Sequence, residues 1–416
     1  MDYSDTVTAL QRRMDTTLQE ADADLAARYP GDRTDRQPIH TVYVPADRVT
    51  DDLPRAWGDE ALRLLSAYAP DAATLAAALG EPVSDIEPIY PLIVAKLQQE
   101  PIEDLRIDFE DGYGRRPDAV EEADLERCLS AYADQRTAGI RPPWWGIRFK
   151  SFEAPTRDRG VRTLAGFLAG VVEGGQVPSG LTLTLPKVTS VAQVAAMADA
   201  LDTLEEALGA PAGSIGFEVQ VETAQAIMAP DGTAAVAAMV HAGRGRVTSL
   251  HYGTFDYSAG LGIAAAYQSL DHPAADHAKN VMQVAAAQTG VRLSDGSTNV
   301  VAFGTAEQAF ATWRLHAGLV HRSLIRGIYQ GWDMAPGHLV SRYAATYLFF
   351  RRAFDPACDR LAAYLQRIEG DVMDEPATAR MLSSALLRGV ACGAFSQEDV
   401  SARTGLDQAA LTGLTR

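Results

Sequence analysis

Eight short strand-like runs, separated by longer stretches with helical spacing, constrain this chain more than any other feature of its sequence. The runs are IHTVYVPA (39–46), RIDFED (106–111), WGIRFK (145–150), LTLTLPKV (181–188), IGFEVQVET (215–223), VTSLHYGT (247–254), VRLSD (291–295) and RGIYQGW (326–332). Between them lie Ala- and Leu-rich segments such as VAQVAAMADALDTLEEALG (191–209) and AEQAFATWRLHAGLVHRSL (306–324). Strands alternating with helices predict a parallel sheet, since a parallel pair needs a long crossover. Eight of them predict an α/β fold of the closed (β/α)8, or TIM, barrel type. The competing open sheet normally carries a Gly-rich phosphate turn after an early strand, and VYVPADR (42–48) has no GxGxxG.

The remaining segments read as helical additions. Residues 5–29 alternate apolar and charged positions at helical spacing until PGDR (30–33) stops them. The interval 49–103 is too long for a loop, and its ALRLLSAY and ATLAAAL stretches read as helices filling the first crossover. From residue 341 the pattern is wholly helical. The expected organisation is an N-terminal helical extension (1–36), a catalytic barrel (37–340) and a C-terminal helical appendage or lid (341–416).

Charge and cysteine content narrow the class. Fifty-four acidic against 37 basic side chains leave a net charge of −17, unsuited to a nucleic-acid partner. The closing SQEDVSARTGLDQAALTGL is accordingly read as a surface helix pair rather than a DNA-reading helix-turn-helix. Cys128, Cys358 and Cys392 lie far apart and form neither a disulfide framework nor a CxxC pair, which fits a reducing compartment. The acidic start MDYSDTVTALQRRMD lacks the apolar core of a secretory signal, and no apolar run approaches the ~18–20 residues of a membrane span. A cytoplasmic enzyme with no membrane partner is expected.

A barrel's active site lies at the carboxyl ends of its strands, and there the acids and bases gather. The second run ends Asp108-Phe109-Glu110-Asp111-Gly112, with Arg106 behind it. The third ends in Arg148 and Lys150, the fourth in Leu185-Pro186-Lys187. The fifth carries Glu218, Gln220 and Glu222 on one face, and the sixth leads into His251-Tyr252-Gly253-Thr254-Phe255-Asp256. Any one of these could belong to a structural ion-pair network. Together, buried charges cost several kcal/mol each unless they pair or hold an ion, so the set points to a catalytic site. Oxygen ligands without Cys or clustered His favour Mg2+ or Mn2+. Glu222 and Asp256 are suited to hold the ion, with Arg148 as the cation facing a developing oxyanion.

In these residues the chain resembles the HpcH/HpaI aldolase and citrate lyase superfamily, within it the citrate lyase β-subunit-like and malyl-CoA lyase-like branch. TVYVPADR (41–48), IDFEDGYG (107–114), IRFKS (147–151), LPKVTS (185–190), VQVETAQAI (219–227) and HYGTFDYSAGLG (251–262) are similar to its motifs. KNVMQVAAAQTGVRLSDGS (279–297) and YQGWDMAPGHL (329–339) follow in the same order. The resemblance implies a (β/α)8 barrel, a Mg2+ (or Mn2+) cofactor and a trimeric or hexameric homo-oligomer. It puts the metal glutamate on Glu222, the metal aspartate on Asp256 and the substrate-contacting arginine on Arg148. The acidic segment that orders metal-bound water and substrate falls on Asp108, Glu110 and Asp111, and Lys187 joins Arg148 in substrate binding.

The chemistry expected is making or breaking a carbon–carbon bond beside a carbonyl, through an enolate, on a small hydroxy or oxo acid either free or as its CoA thioester. Asp111 stands where the free 2-oxo acid aldolases of the superfamily place a catalytic histidine, which favours the lyase branch. Aldolase action on pyruvate, a malate synthase-like condensation and a non-catalytic assembly subunit are the alternatives. A further acid from a C-terminal lid would come from Asp355, Asp359, Asp371 or Asp374, with His251 and His338 as acid–base substitutes. Arg33, Arg36, Arg48, Arg115 and Arg116 are candidates for a CoA phosphate.

Overall fold

The computed structural model describes residues 3–366 and 376–415. Eight parallel strands form the sheet: β1 (His40–Pro45), β2 (Asp104–Asp108), β3 (Trp144–Arg148), β4 (Leu181–Leu185), β5 (Phe217–Val221), β6 (Val247–Tyr252), β7 (Arg292–Ser294) and β8 (Gly331–Asp333). They run in the order β7-β6-β5-β4-β3-β2-β1-β8. A parallel bridge between Ser294 and Gln330 joins the two ends, so the sheet closes into the expected (β/α)8 barrel.

The strands are buried on both faces, as a barrel wall demands. Val42, Val44, Leu105, Ile107, Ile147, Leu183, Val219 and Leu250 pack outward against the helices. Inward positions are polar instead. Arg106 is fully buried at the barrel axis, where it donates to Asp104 (2.5 and 3.0 Å), Glu218 (2.8 Å) and Thr184 (3.0 Å). This is the paired network that lets a buried guanidinium persist. Gly146 admits the tight wall beside it, since a Cβ there would lie 1.7 Å from the Thr182 carbonyl oxygen.

Helices precede the barrel, fill its first crossover and follow its last strand. A helix over Ser4–Arg28 buries none of its side chains, and four helices between Leu53 and Gln99 fill the first crossover. A 31-residue helix, Pro336–Gln366, begins directly after β8 and packs on the helices Ala306–Ile325, Leu53–Tyr68 and Pro376–Cys392. The three cysteines are free and buried. Among the described residues no helix is long and apolar enough to cross a membrane.

Two strands end three residues before their sequence runs do. β2 stops at Asp108 because its carboxylate accepts from the backbone N–H of Glu110 and Gly112, both at 2.9 Å, and turns the chain. β4 stops at Leu185 because Pro186 follows and Lys187 adopts a left-handed φ of 49°. β8 is shifted later than the 326–332 run, since residues before Gly331 complete the turn after the preceding helix.

Candidate active site

The carboxyl ends of β1, β2, β3, β5, β6 and β8 enclose a mouth cavity of about 470 Å3. Its wall includes Asp108, Asp111, Arg148, Gln220, Glu222 and Asp256, with Tyr43, Arg48, Trp332 and Met334. Glu110 and Lys187 adjoin it through their partners.

Arg148 ends β3 and is almost wholly buried. Asp108 grips it bidentately, Nε to Oδ1 and Nη2 to Oδ2, both at 2.7 Å. Its Nη1 donates to Gln220 Oε1 at 3.2 Å, and its guanidinium lies 4.8 Å from the ring of Tyr43 and 5.4 Å from that of Trp332. Such a fork has one orientation, with its charge turned to the mouth. Asp108 spends both oxygens on Arg148 and on the two backbone N–H groups of its turn. Its part in the geometry is to hold Arg148.

Gln220 passes this order to Glu222, donating from Nε2 to Oε2 at 2.7 Å, while Glu222 Oε1 accepts from the Lys187 backbone N–H at 2.8 Å. Glu222 is buried, and burial together with the nearby Asp256 and Glu110 pushes its carboxyl up to about 8 against Lys187 and Arg148. Burial and the Asp111 charge likewise lift Glu110 to about 7. Lys187 Nζ lies 2.8 Å from Asp111 and 2.5 Å from Asp256, with Glu110 at 3.6 Å. Burial disfavours that ammonium, but Glu222, Glu110, Asp111 and Asp256 outweigh it and hold its pKa above the ordinary value.

A divalent cation fits these residues. Carboxylates converge on one spot, a buried one among them is destabilised by like charge, and the spot already draws in a lysine ammonium as a cation. Oxygen donors without thiolate or imidazole suit Mg2+ or Mn2+.

A second acid–histidine group lies behind the mouth. Asp333 accepts from His40 Nδ1 (2.8 Å), His316 Nε2 (3.0 Å) and Arg342 (2.8–3.1 Å). His338 stacks on His316 with ring centroids 4.3 Å apart and bonds the Val300 carbonyl at 2.8 Å. Burial and His338 push His316 down to about 3, and Arg342 already supplies the cation, so this group is complete without an ion.

The structure thus brings Asp108, Glu110, Asp111, Arg148, Lys187, Glu222 and Asp256 into one cluster. It keeps other candidates apart. His251 is buried in the barrel 3.1 Å from Glu218, and His338 belongs to the Asp333 group. Asp355 and Asp359 are held by Arg403 on the outer helices, while Asp371 and Asp374 lie outside the described residues. Of the arginines, Arg48 lines the mouth, Arg116 pairs with Asp47 at 2.6 Å, Arg115 is exposed, and Arg33 and Arg36 lie elsewhere. Sequence reasoning missed Tyr43 and Trp332, whose signal was an aromatic at an inward position near the end of β1 and of β8.

Solved structures are similar to this chain. A citrate lyase from Burkholderia xenovorans LB400 superposes with a TM-score of 0.57 at 19% identity, covering 89% of this chain and 99% of that one. CitE from Mycobacterium tuberculosis, in complex with magnesium, acetoacetate and coenzyme A, gives 0.49 at 16% identity, over 87% and 100% of the two chains. A Haloferax volcanii malate synthase gives 0.48 at 13% identity, over 92% and 98%. No curated protein matches the chain by sequence. The sequence model of one family, described as a domain of unknown function, DUF6986, matches residues 18–416, and the chain belongs to that family.

Proposed function

We propose that this protein is a Mg2+- or Mn2+-dependent carbon–carbon lyase that cleaves or forms a bond beside a carbonyl on a small hydroxy or oxo acid. The observation that carries the reading is the pairing of an oriented Arg148 with the buried Glu222, linked through Gln220 at the mouth of a barrel shared with a citrate lyase. Glu222 and Asp256 would hold the ion, which when bound supplies Lewis-acid stabilisation of a carbonyl or enolate oxygen.

This chain's own residues account for the rest. Arg148, fixed by Asp108 and lying against the paired rings of Tyr43 and Trp332, presents donors where negative charge develops on the substrate oxygen. Its rigidity means that little reorganisation is needed as that charge appears. Glu110, held near 7, is poised to take or return a proton at neutral pH. Trp332, Tyr43 and Met334 give one side of the cavity a largely apolar wall. A cavity of about 470 Å3 suits a small acid or the acyl end of a thioester, and Arg48 on its wall offers a cation to a second anionic group. Asp111, in place of an imidazole, favours the lyase reaction over aldol chemistry on free pyruvate. A homo-oligomer of three or six copies belongs to the proposal and is read by light scattering.

The test is a thermal-shift titration with Mg2+ and Mn2+, alone and with pyruvate, glyoxylate, oxaloacetate, acetyl-CoA or propionyl-CoA. A ligand at 100 times its Kd stabilises by about 2.7 kcal/mol. Metal-dependent stabilisation by an acyl-CoA is expected for a thioester lyase, and by an oxo acid alone for a free-acid enzyme. Metal-dependent turnover surviving in Glu222→Gln, or no response to metal at all, sinks the reading.

A further inference from the structure

A second cavity, of about 120 Å3, lies at the opposite, amino-terminal end of the barrel. It is enclosed by the segment 32–37 leading into β1, by Tyr329 ahead of β8 and by one face of the helix Pro376–Cys392. Ile39, Tyr329, Phe350 and Leu387 give it an apolar base. The space is several times the roughly 10–15 Å3 that one water needs.

Among the described residues its polar wall carries more cation than is paired with carboxylate. Arg388 lies over Tyr329, 4.3 Å from the ring centroid, and donates to the neutral Gln37 Oε1 at 3.0 Å. Among the described residues no carboxylate reaches it within ion-pair distance. Gln37 is itself fixed, its Nε2 donating to the Leu293 carbonyl (3.2 Å) and to Gln330 Oε1 (3.1 Å). Arg33 and Arg292 share one carboxylate, Asp35, at 2.6 and 2.8 Å. Arg36 is taken up by Glu100 and Glu103. Arg33, Arg380 and Arg388 thus line the cavity against two carboxylates, Asp35, which pairs with Arg33 and Arg292, and Asp32, which acts on Arg388 only from beyond ion-pair distance. Burial and the Arg33 charge push Arg292 down to about 10, and burial lowers Arg388 as well. A half-buried guanidinium without a counter-charge is costly, and its planar fork matches carboxylate and phosphate.

We propose that this cavity binds a small organic anion, a carboxylate or phosphate monoester on an apolar body, with the anionic group on Arg388 and Arg33 and the body against Tyr329, Phe350 and Leu387. The site is separate from the mouth: β1 and β8 begin beside it and end at the active site. It stands independently of the lyase reading.

Isothermal titration of the metal-free, full-length protein with phenyl phosphate, benzoate and inorganic phosphate tests it. One saturable site per chain is expected for phenyl phosphate or benzoate, and the tighter of the two identifies the anionic group. Inorganic phosphate binds at least tenfold more weakly. Arg388→Met lowers the affinity at least tenfold. Leu387→Trp does the same by filling the cavity while keeping every charge, so the test stands even if one variant fails to fold. Glu222→Gln leaves binding unchanged. Absence of saturable binding, affinity equal to the parent's in both Arg388→Met and Leu387→Trp, or loss in Glu222→Gln overturns the proposal.

Discussion

The Lys187 ammonium lies 2.5 Å from the Asp256 carboxylate and 2.8 Å from that of Asp111, while the Lys187 backbone N–H donates to Glu222. One residue thus touches both proposed metal ligands, and its side chain supplies positive charge where the ion would supply it. The left-handed backbone at Lys187 makes this double contact possible, at a cost of order 1 kcal/mol for a residue with a Cβ. Ammonium and metal therefore compete for Asp256. Lys187→Met is expected to tighten Mn2+ binding roughly tenfold, about 1.4 kcal/mol, as read by electron paramagnetic resonance of free Mn2+. Unchanged or weaker affinity would mean that the lysine supports the ion instead of displacing it.

Arg148→Lys separates charge from geometry. The ammonium keeps the positive charge but cannot hold Asp108 bidentately, donate to Gln220 and lie against the rings of Tyr43 and Trp332 together. Lyase turnover should fall roughly 100- to 1,000-fold with Mn2+ affinity within about threefold of the parent. Equal loss of both in steady-state kinetics and metal titration would place Arg148 in the metal site's support rather than on the substrate.

The barrel was legible because its period is long and repeated: eight apolar runs separated by helices leave few folds to choose from. The polar residues at strand ends were legible for the same reason, since inward positions follow from alternation once the strands are placed. Their pairing was not. Nothing local in IDFEDG says that Asp108 turns its own chain and grips Arg148, forty positions on. Nor does LPKV announce a lysine in the left-handed region. Tyr43 and Trp332 come together only because β8 pairs with β1, which closes the barrel. The cationic cavity is less legible still, for Gln37 and Arg388 lie 351 positions apart.

Gly253 follows β6 and sits against Glu222. A Cβ there would lie 2.4 Å from the Glu222 Cβ and 2.7 Å from its Oε2, too close to be tolerated without moving that side chain. The backbone conformation at Gly253 (φ −101°) is open to any residue, so the effect of substitution is steric. Gly253→Ala is expected to weaken Mn2+ binding at least tenfold and to cost about 1–3 kcal/mol of stability. A full-strength metal site in this variant, measured by calorimetric titration, would show that Glu222 does not need its present position.

Part of the acid sensitivity should arise from Glu103, fully buried at the entrance to β2. Burial opposes its charge, but Lys96 and Arg36, each at 2.7 Å, with His40 nearby, outweigh burial and pull its carboxyl down to about 2. A folded-state pKa below the unfolded value contributes stability that is complete above about 4.5 and is lost as the pH falls toward 2. A shift of that size corresponds to about 3 kcal/mol, with a slope of up to about 1.4 kcal/mol per pH unit inside the window. Other depressed carboxylates, Glu205 and Asp333 among them, titrate in the same direction. The comparison that isolates Glu103 is therefore the difference between the parent and Glu103→Gln. The variant is expected to be less stable by about 3–5 kcal/mol at pH 7, because Lys96 and Arg36 lose a buried counter-charge. Its disadvantage should narrow by about 2 kcal/mol between pH 5.5 and pH 3, as read by urea unfolding at each pH. Parallel pH profiles for the two proteins would mean that Glu103 does not titrate in this window, and that the acid limb belongs to the other carboxylates.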